Sequence, residues 1–160
     1  MRIISGYFKG KKLLQPSDRN TRPLKDLAKE SIFNVLEHSN KFSFVLKNSN
    51  ILDLFSGIGS FGLEALSREA GFVSFIENYS NVTKILKKNI SNLNQSRKSE
   101  IIEKDIFKDL NFNNLNRKYD LVFIDPPFKE EKVNKLLYEI FKAKVLNSKG
   151  IIIIHRKSRE

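Results

Sequence analysis

Short apolar runs alternate with amphipathic segments from residue 50 onward, and this alternation constrains the fold more than any other feature of the sequence. The apolar runs predict strands at 51–55, 72–77, 100–105, 119–125 and 150–156. Apolar residues at helical spacing predict helices between them, at 60–69, 79–93 and 130–142, and no helix between 106 and 118. Because strands that alternate with helices form a mostly parallel sheet with helices on both faces, the sequence predicts an α/β fold.

Acidic residues lie at or near the ends of four predicted strands and mark a candidate ligand site. They are Asp53, Glu77, Asp105 and Asp125. In a parallel sheet of this kind, ligands bind outside the carboxyl ends of the strands, where the strand order reverses. A single acid at a strand end is most often a solvated surface residue, but acids at four strand ends together favour a shared ligand.

The segment DLFSGIGSFGLEAL, residues 53–66, places a glycine-rich loop between the first strand and the following helix. Its G-x-G-x-x-G spacing begins at Gly57, twenty positions before Glu77, and matches a dinucleotide-binding fingerprint. A dinucleotide site, however, directs backbone N–H groups at a pyrophosphate, and the nearby carboxylate of Asp53 would oppose that negative charge. S-adenosylmethionine carries a sulfonium and no phosphate, so it fits an acid beside this loop better.

Two of the strand-end acids have predicted contacts to an adenosine group. Glu77 can accept hydrogen bonds from both ribose hydroxyls of either cofactor, so it does not discriminate between them. Asp105 can accept a hydrogen bond from the adenine amino group, and Ile106 or Phe107 can line the ring.

The segment DPPF, residues 125–128, is the most specific motif of the chain. Pro126 and Pro127 fix two backbone torsions and remove two N–H donors, so their carbonyl groups are held in defined directions. Asp125 and the Pro126 carbonyl can then accept hydrogen bonds from an exocyclic amine while Phe128 stacks on the base. Two acceptors orient the nitrogen lone pair toward the methyl group of a sulfonium. As an alternative, the two prolines simply end the strand.

These motifs resemble those of class I S-adenosylmethionine-dependent methyltransferases, and within them the bacterial RsmD family, which methylates the guanine N2 amine in small-subunit (16S) ribosomal RNA. The similarity covers nearly the whole chain and includes MRIISGYFKGKKL, TRP, KESIFNVL, ILDLFSGIGSFGLEALSREA, FIE and DLVFIDPPF. The resemblance implies a Rossmann-like fold with catalysis at Asp125, Pro126, Pro127 and Phe128. It also implies cofactor contacts at Asp53, Ser56, Gly57, Gly59, Glu77 and Asp105.

Residues 1–40 are predicted to form a hairpin and a helix that face RNA. A basic hairpin is indicated over 2–14, around Gly10, and a helix from Pro23 to about His38. The net charge is +11, and the first 25 residues hold seven basic residues against one acid, which favours an anionic partner. The resemblance implies RNA contacts at Arg2, Lys9, Lys11, Lys12, Arg19 and Arg22.

Composition excludes several other kinds of site. The 160-residue chain has no cysteine, which rules out disulfides, thiolate zinc sites and cysteine nucleophiles, and no metal site is expected. No apolar run approaches the length of a membrane span. We therefore expect one methyltransferase domain over 1–160, with the cofactor-binding and catalytic core at 50–160, in a cytoplasmic and monomeric protein.

Two features depart from the RsmD pattern. Leu24, Leu27 and Ala28 follow TRP, where the family usually has a polar run. The family fold also continues past the fifth strand into an antiparallel strand pair, which we expect to be missing here. The two histidines, His38 and His155, lie beside apolar residues and are interpreted as structural.

The sequence therefore predicts methylation of a guanine N2 amine in small-subunit rRNA, as naked RNA or in an assembling 30S particle. A DNA or RNA adenine-N6 methyltransferase is the main alternative, because the DPPF turn does not choose among amines. A nicotinamide-dependent oxidoreductase and a non-catalytic RNA-binding module are the remaining alternatives.

Overall fold

The computed structural model describes residues 1–17, 24–127 and 132–156. Within them the chain forms α1 (Asp26–His38), β1 (Asn50–Leu54), α2 (Ser60–Ser67), β2 (Phe72–Glu77), α3 (Ser80–Asn92), β3 (Ser99–Glu103), β4 (Tyr119–Ile124), α4 (Val133–Lys142) and β5 (Leu146–Ile154), with a 3-10 turn at Ser96–Lys98. Each predicted strand and helix is present, and no helix lies between 106 and 118. β5 begins at Leu146 rather than at residue 150, because Leu146 pairs with Tyr119 before a register shift. The predicted helix start at Pro23 lies outside the described residues.

The strands form one parallel sheet in the order β3-β2-β1-β4-β5. The chain runs outward from β1 through β2 to β3 and then returns to the other side of β1, so the strand order reverses between β1 and β4. Leu54, the last residue of β1, pairs with Ile124, the last residue of β4. The loops after these two strands therefore begin side by side, where ligands bind in sheets of this topology.

Both faces of the sheet are covered by helices, which confirms the predicted layers. Successive strand residues point to opposite faces, so Leu52 of β1 packs on the side of α4, while Ile51 packs on the side of α1, α2 and α3. On that second side the ring of Phe61 lies between those of Phe33 and Phe123, with centroid distances of 4.9 and 3.8 Å. These stacked rings fix α1 and α2 against the centre of the sheet.

The N-terminal hairpin is present in a reduced form. Arg2 and Lys12 make a single antiparallel bridge. Gly6 and Gly10 have positive φ angles of 79° and 83°, so the segment between the bridge partners folds as a turn rather than as extended strands. A Cβ at Gly6 would lie 2.0 Å from the Ser67 carbonyl oxygen, which shows that the hairpin packs directly on the end of α2.

A buried ion pair joins this hairpin to α1 and α2. Lys29 and Glu64 are both fully buried, with 3.4 Å between Nζ and Oε2. Lys29 Nζ also donates to the Arg2 carbonyl oxygen at 2.8 Å and to Ser60 Oγ at 3.2 Å. Burial lowers the pKa of Lys29, and the Glu64 carboxylate opposes that shift. The ammonium is therefore compensated by charge and by hydrogen bonds.

Donors surround the Glu64 carboxylate as well. Oε2 accepts a hydrogen bond from the Ile4 N–H at 2.8 Å, and Oε1 accepts from the Ser5 N–H at 2.9 Å. Arg68 Nε donates to Oε1 at 2.8 Å, and the same guanidinium pairs with Glu37 of α1. The backbone of the hairpin is thus bonded to a side chain in the middle of α2.

At the other end of the described chain, β5 pairs with β4 and lies at an edge of the sheet. Within the described residues no antiparallel strand pair follows β5. In the same ranges, every helix is too short or too polar to cross a lipid bilayer.

We predict that Glu64→Gln destabilises the protein far more than the loss of an exposed ion pair. The variant removes the buried counter-charge of the Lys29 ammonium and leaves only the partly exposed Asp26 carboxylate at 4.0 Å; breaking a buried pair typically costs about 3–5 kcal/mol. As a control, Lys87→Ala removes the exposed pair with Glu103 and should cost less than about 1 kcal/mol. Urea unfolding followed by circular dichroism measures both. Similar losses in the two variants would contradict the role assigned to the buried pair.

Candidate functional site

The glycine-rich loop after β1 reverses the chain between that strand and α2. Phe55, Gly57 and Gly59 all have positive φ angles, of 60°, 56° and 85°. The left-handed region is strained for phenylalanine, and Phe55 is held there with its ring stacked on Phe107, 5.0 Å between centroids. Strain of this kind is typical of turns that bring a backbone close to a ligand.

The three glycines of the loop motif have different roles. A Cβ at Gly59 would lie 2.5 Å from Leu86 Cδ1, and one at Gly62 would lie 2.4 Å from Phe75 Cε1. Both positions are therefore needed for the close packing of α2. A Cβ at Gly57, in contrast, would meet no atom within 4 Å. Gly57 faces open space, where a ligand can approach the backbone.

Asp53, near the end of β1, is buried and has an unsatisfied acceptor. Its Oδ2 accepts a hydrogen bond from the Gly62 N–H at 3.0 Å, whereas Oδ1 is buried without a hydrogen-bond partner. Burial raises the pKa of Asp53 well above its usual value, and the nearby carboxylates of Asp125 and Glu77 raise it further. Asp125 and Glu77 therefore lie close enough to Asp53 for their charges to affect it, which brings three of the four predicted acids into one site. Because burial and these carboxylates disfavour the ionised form of Asp53, a nearby cationic group would stabilise that form, whereas a pyrophosphate would disfavour it further.

Glu77 and Ser56 bind the loop to the end of β2. Glu77 Oε2 accepts a hydrogen bond from the Gly57 N–H at 2.8 Å, and Oε1 accepts from the N–H groups of the next two residues. The N–H and the Oγ of Ser56 both donate to the Ile76 carbonyl oxygen, at 3.1 and 3.3 Å. Both side chains therefore hold the loop in place through backbone groups.

Asp105 follows β3 by two residues and stabilises its own turn. Its Oδ1 accepts hydrogen bonds from the N–H groups of Phe107 at 3.1 Å and Lys108 at 3.3 Å. Ile106 packs in the core, whereas Phe107 is half-buried beside Phe55. Of the two apolar residues considered for an adenine ring, Phe107 is the one that presents accessible surface.

The described part of the DPPF segment lies beside the end of β1. The Asp125 N–H donates to the Leu54 carbonyl oxygen at 3.4 Å, so the segment starts next to the glycine-rich loop. Pro126 is buried and Pro127 is exposed. Phe128 lies outside the described residues. Asp125 thereby comes into the same site as Asp53, as the strand ends predict.

The structure adds His155 to this site, a residue that the sequence analysis interpreted as structural. Its Nδ1 lies 2.8 Å from Asp125 Oδ1. Ile124 and Ile154 are register partners in adjacent parallel strands, so the residues that follow them come side by side. The available signal was that His155 lies one residue before the end of the last predicted strand, 150–156, whereas acids lie at or near the ends of the other strands. Its partner depends on the strand order, which the sequence pattern does not specify.

Four of the predicted RNA-binding residues lie on the N-terminal hairpin with exposed side chains: Arg2, Lys9, Lys11 and Lys12. Arg19 and Arg22 lie outside the described residues. Tyr7, in the same hairpin, is 88% exposed. Exposed basic residues together with an aromatic ring are typical of surfaces that bind nucleic acids. The described ranges contain no group of three or more His, Cys, Asp or Glu side chains placed to hold a metal ion.

Comparisons with known proteins agree with this geometry. The profile of the family described as Conserved hypothetical protein 95 matches residues 1–160. The Ribosomal RNA small subunit methyltransferase D of Buchnera aphidicola subsp. Acyrthosiphon pisum is 34% identical over 158 residues, which covers 99% of this chain and 78% of that protein. The Putative rRNA methyltransferase YlbH of Bacillus subtilis is 32% identical over 154 residues, which covers 96% of this chain and 80% of that protein.

Solved structures lead to the same family. The putative methyltransferase yhhF from Escherichia coli matches with a TM-score of 0.83 and 28% identity, over 99% of this chain and 82% of that one. The putative methylase HI0767 from Haemophilus influenzae matches with a TM-score of 0.74 and 31% identity, with the same coverage of 99% and 82%. The chain therefore belongs to the Conserved hypothetical protein 95 family, the RsmD family of methyltransferases that its motifs resemble.

Proposed function

We propose that this chain transfers a methyl group from S-adenosylmethionine to the N2 amine of a guanine in small-subunit rRNA. One observation carries the proposal: Asp53, the open backbone at Gly57 and Asp125 come together where the strand order reverses. Membership of the family supports the reaction class, and relatives named for small-subunit ribosomal RNA support the substrate. The choice of the guanine N2 amine rests on the family resemblance.

The residues at the loop fit S-adenosylmethionine. Asp53 Oδ1 is a buried acceptor without a partner, which a cationic ligand would satisfy. Open space at Gly57 admits contact with the backbone, and Glu77 offers further carboxylate lone pairs at the edge of the site. Asp105 and Phe107 are proposed to contact the adenine ring. When bound, the cofactor supplies a methyl group that its sulfonium makes electrophilic.

Asp125 and the Pro126 carbonyl are proposed to prepare the amine. An exocyclic amine is a poor nucleophile because its lone pair is delocalised into the base. Hydrogen bonds from its two N–H groups to a carboxylate and a carbonyl favour a pyramidal nitrogen and orient the lone pair for in-line attack. Asp125 is also an acceptor for the proton that the nitrogen loses. Stacking of the base on Phe128 remains a prediction from the sequence.

The N-terminal hairpin is proposed to hold the RNA. Its exposed lysines can neutralise phosphates without reading sequence. The buried bonds from Lys29 and Glu64 keep this surface in a fixed position relative to α2, which starts at the glycine-rich loop. In this arrangement residues 1–40 bind substrate and residues 50–160 hold the cofactor and the reacting amine. Action as a monomer in the cytoplasm stays a prediction.

An adenine N6 amine is the second candidate, because Asp125 and the Pro126 carbonyl would accept from any exocyclic amine. A nicotinamide cofactor is disfavoured because its pyrophosphate would add negative charge beside Asp53, Glu77 and Asp125, where the ionised form of Asp53 is already disfavoured. Calorimetric titration with S-adenosylmethionine and with NAD separates the two cofactors. Binding of NAD alone would overturn the proposal.

We predict that Asp125→Ala abolishes methyl transfer and leaves cofactor binding nearly intact. Loss of the acceptor should lower kcat by about 10²- to 10⁴-fold, the range for a positioned acid or base. Asp109→Ala, which removes an exposed acid from the loop after β3, is the matched control and should stay active. Transfer of labelled methyl to small-subunit RNA gives the rates, and calorimetry gives the affinity. Retained activity in the Asp125 variant would remove that residue from its role.

Gly57→Ala and Gly59→Ala should fail in different ways. At Gly57 the added methyl group meets open space, so the cost to folding is about 1–2 kcal/mol from its positive φ, while affinity for S-adenosylmethionine falls. At Gly59 the methyl group collides with Leu86, so thermal stability falls as well. Thermal unfolding and calorimetry of both variants distinguish these outcomes. Unchanged cofactor affinity in Gly57→Ala would place the ligand elsewhere.

We predict that Asp53→Asn stabilises the free protein and weakens cofactor binding. Folding raises the pKa of this carboxyl above its usual value of 3.8. Between that value and the raised pKa, the folded state binds more protons than the unfolded state, so the stability of the wild type falls as pH rises through this range. Asparagine removes this loss, and its stability advantage should therefore grow from pH 4 upward. Urea unfolding at several pH values tests the sign. A parallel pH dependence in both proteins would contradict the assignment.

A further inference from the structure

The contact between His155 and Asp125 is built by the sheet itself. β4 and β5 are parallel, with Ile124 paired to Ile154, and the His155 N–H extends the ladder by donating to the Ile124 carbonyl oxygen at 2.9 Å. The two following side chains therefore emerge next to each other. Nδ1 of His155 and Oδ1 of Asp125 are 2.8 Å apart, a full hydrogen bond.

The chemistry of the pair fixes the position of one proton. With Asp125 ionised, as the proposed reaction requires, the carboxylate only accepts hydrogen bonds, so His155 in the matching tautomer donates its Nδ1–H to Oδ1. The side chains are 26% and 21% exposed, so the pair lies at the border between the protein interior and solvent. One oxygen of Asp125 is thus oriented by the histidine, and the carboxylate cannot rotate freely about its last torsion.

We propose that His155 is a positioning residue for methyl transfer and that it acts by holding Asp125 as an oriented carboxylate. The inference rests on the proposed function. In the reaction, the amine nitrogen bonds to the methyl carbon while the carbon–sulfur bond breaks and its electron pair stays on sulfur. The surplus proton on nitrogen then passes to the Asp125 carboxylate. A carboxylate held by a donor presents its other oxygen to the amine in one direction.

The test compares His155→Ala with His155→Asn, whose side-chain amide N–H can replace the Nδ1 donor. The alanine variant should lose about 10- to 100-fold in kcat, the rate equivalent of one hydrogen bond to a charged group. Its KM for S-adenosylmethionine should stay within about 3-fold of wild type, because Asp125 acts on the amine. The asparagine variant should recover most of the lost kcat. Lys87→Ala, at an exposed position of α3 with no assigned role, should behave as wild type.

Each outcome has a defined meaning. A kcat unchanged in His155→Ala, or a KM effect in place of a kcat effect, overturns the inference while the proposed function stands. An equal kcat in the alanine and asparagine variants also overturns it, since a structural role would not depend on the donor. Should the alanine variant fail to fold, His155→Gln replaces it, because its longer amide does not occupy the Nδ1 position. If the wild-type protein transfers no methyl group to small-subunit RNA, the proposed function itself fails and the inference fails with it.

Discussion

The buried contact between Lys29 and Glu64 fixes the N-terminal hairpin and α1 against α2. Two buried charges are costly to desolvate, and here each is surrounded by hydrogen-bond partners, which is the condition under which such a pair is tolerated. The partners come from the hairpin backbone and from α2. Hydrogen bonds from Ser67 at the end of α2 and from Asn89 of α3 add to this anchoring, since the hairpin's own ladder consists of a single bridge in the described residues.

The helix α2 links that ion pair to the candidate site. Glu64 in the helix bonds to the hairpin, while the N–H of Gly62, half a turn earlier, donates to Asp53. The short, fully buried helix α2 therefore contacts both the hairpin proposed to bind RNA and Asp53, the acid proposed to face the cofactor. Gly59, just before α2, and Gly62 within it have no room for a Cβ, so a side chain at either position would displace this helix.

Local pattern was enough to predict the strands, the helices, the parallel sheet and the meeting of acids at one edge, because each depends on spacing along the chain. It was not enough for contacts that depend on strand order or on long-range packing. The pairing of His155 with Asp125 requires β5 to lie beside β4. Lys29 lies in an amphipathic helix with several charged residues, and the sequence does not distinguish this buried lysine from the exposed ones. Glu77 was expected to accept hydrogen bonds from ribose hydroxyls, and the structure shows that it also accepts one from the Gly57 N–H of the loop. A basic hairpin was expected over 2–14, and the positive φ angles of Gly6 and Gly10 fold much of that segment as a turn.

The central claim is that the site where β1 and β4 end methylates a guanine amine. Its most direct test is mass spectrometry of nucleosides from small-subunit RNA incubated with the protein and isotope-labelled S-adenosylmethionine. We expect label in N2-methylguanosine, formed at least about 100-fold more slowly when Asp125→Ala replaces the wild type. Label in N6-methyladenosine, or no label in RNA or in small-subunit particles, would contradict it.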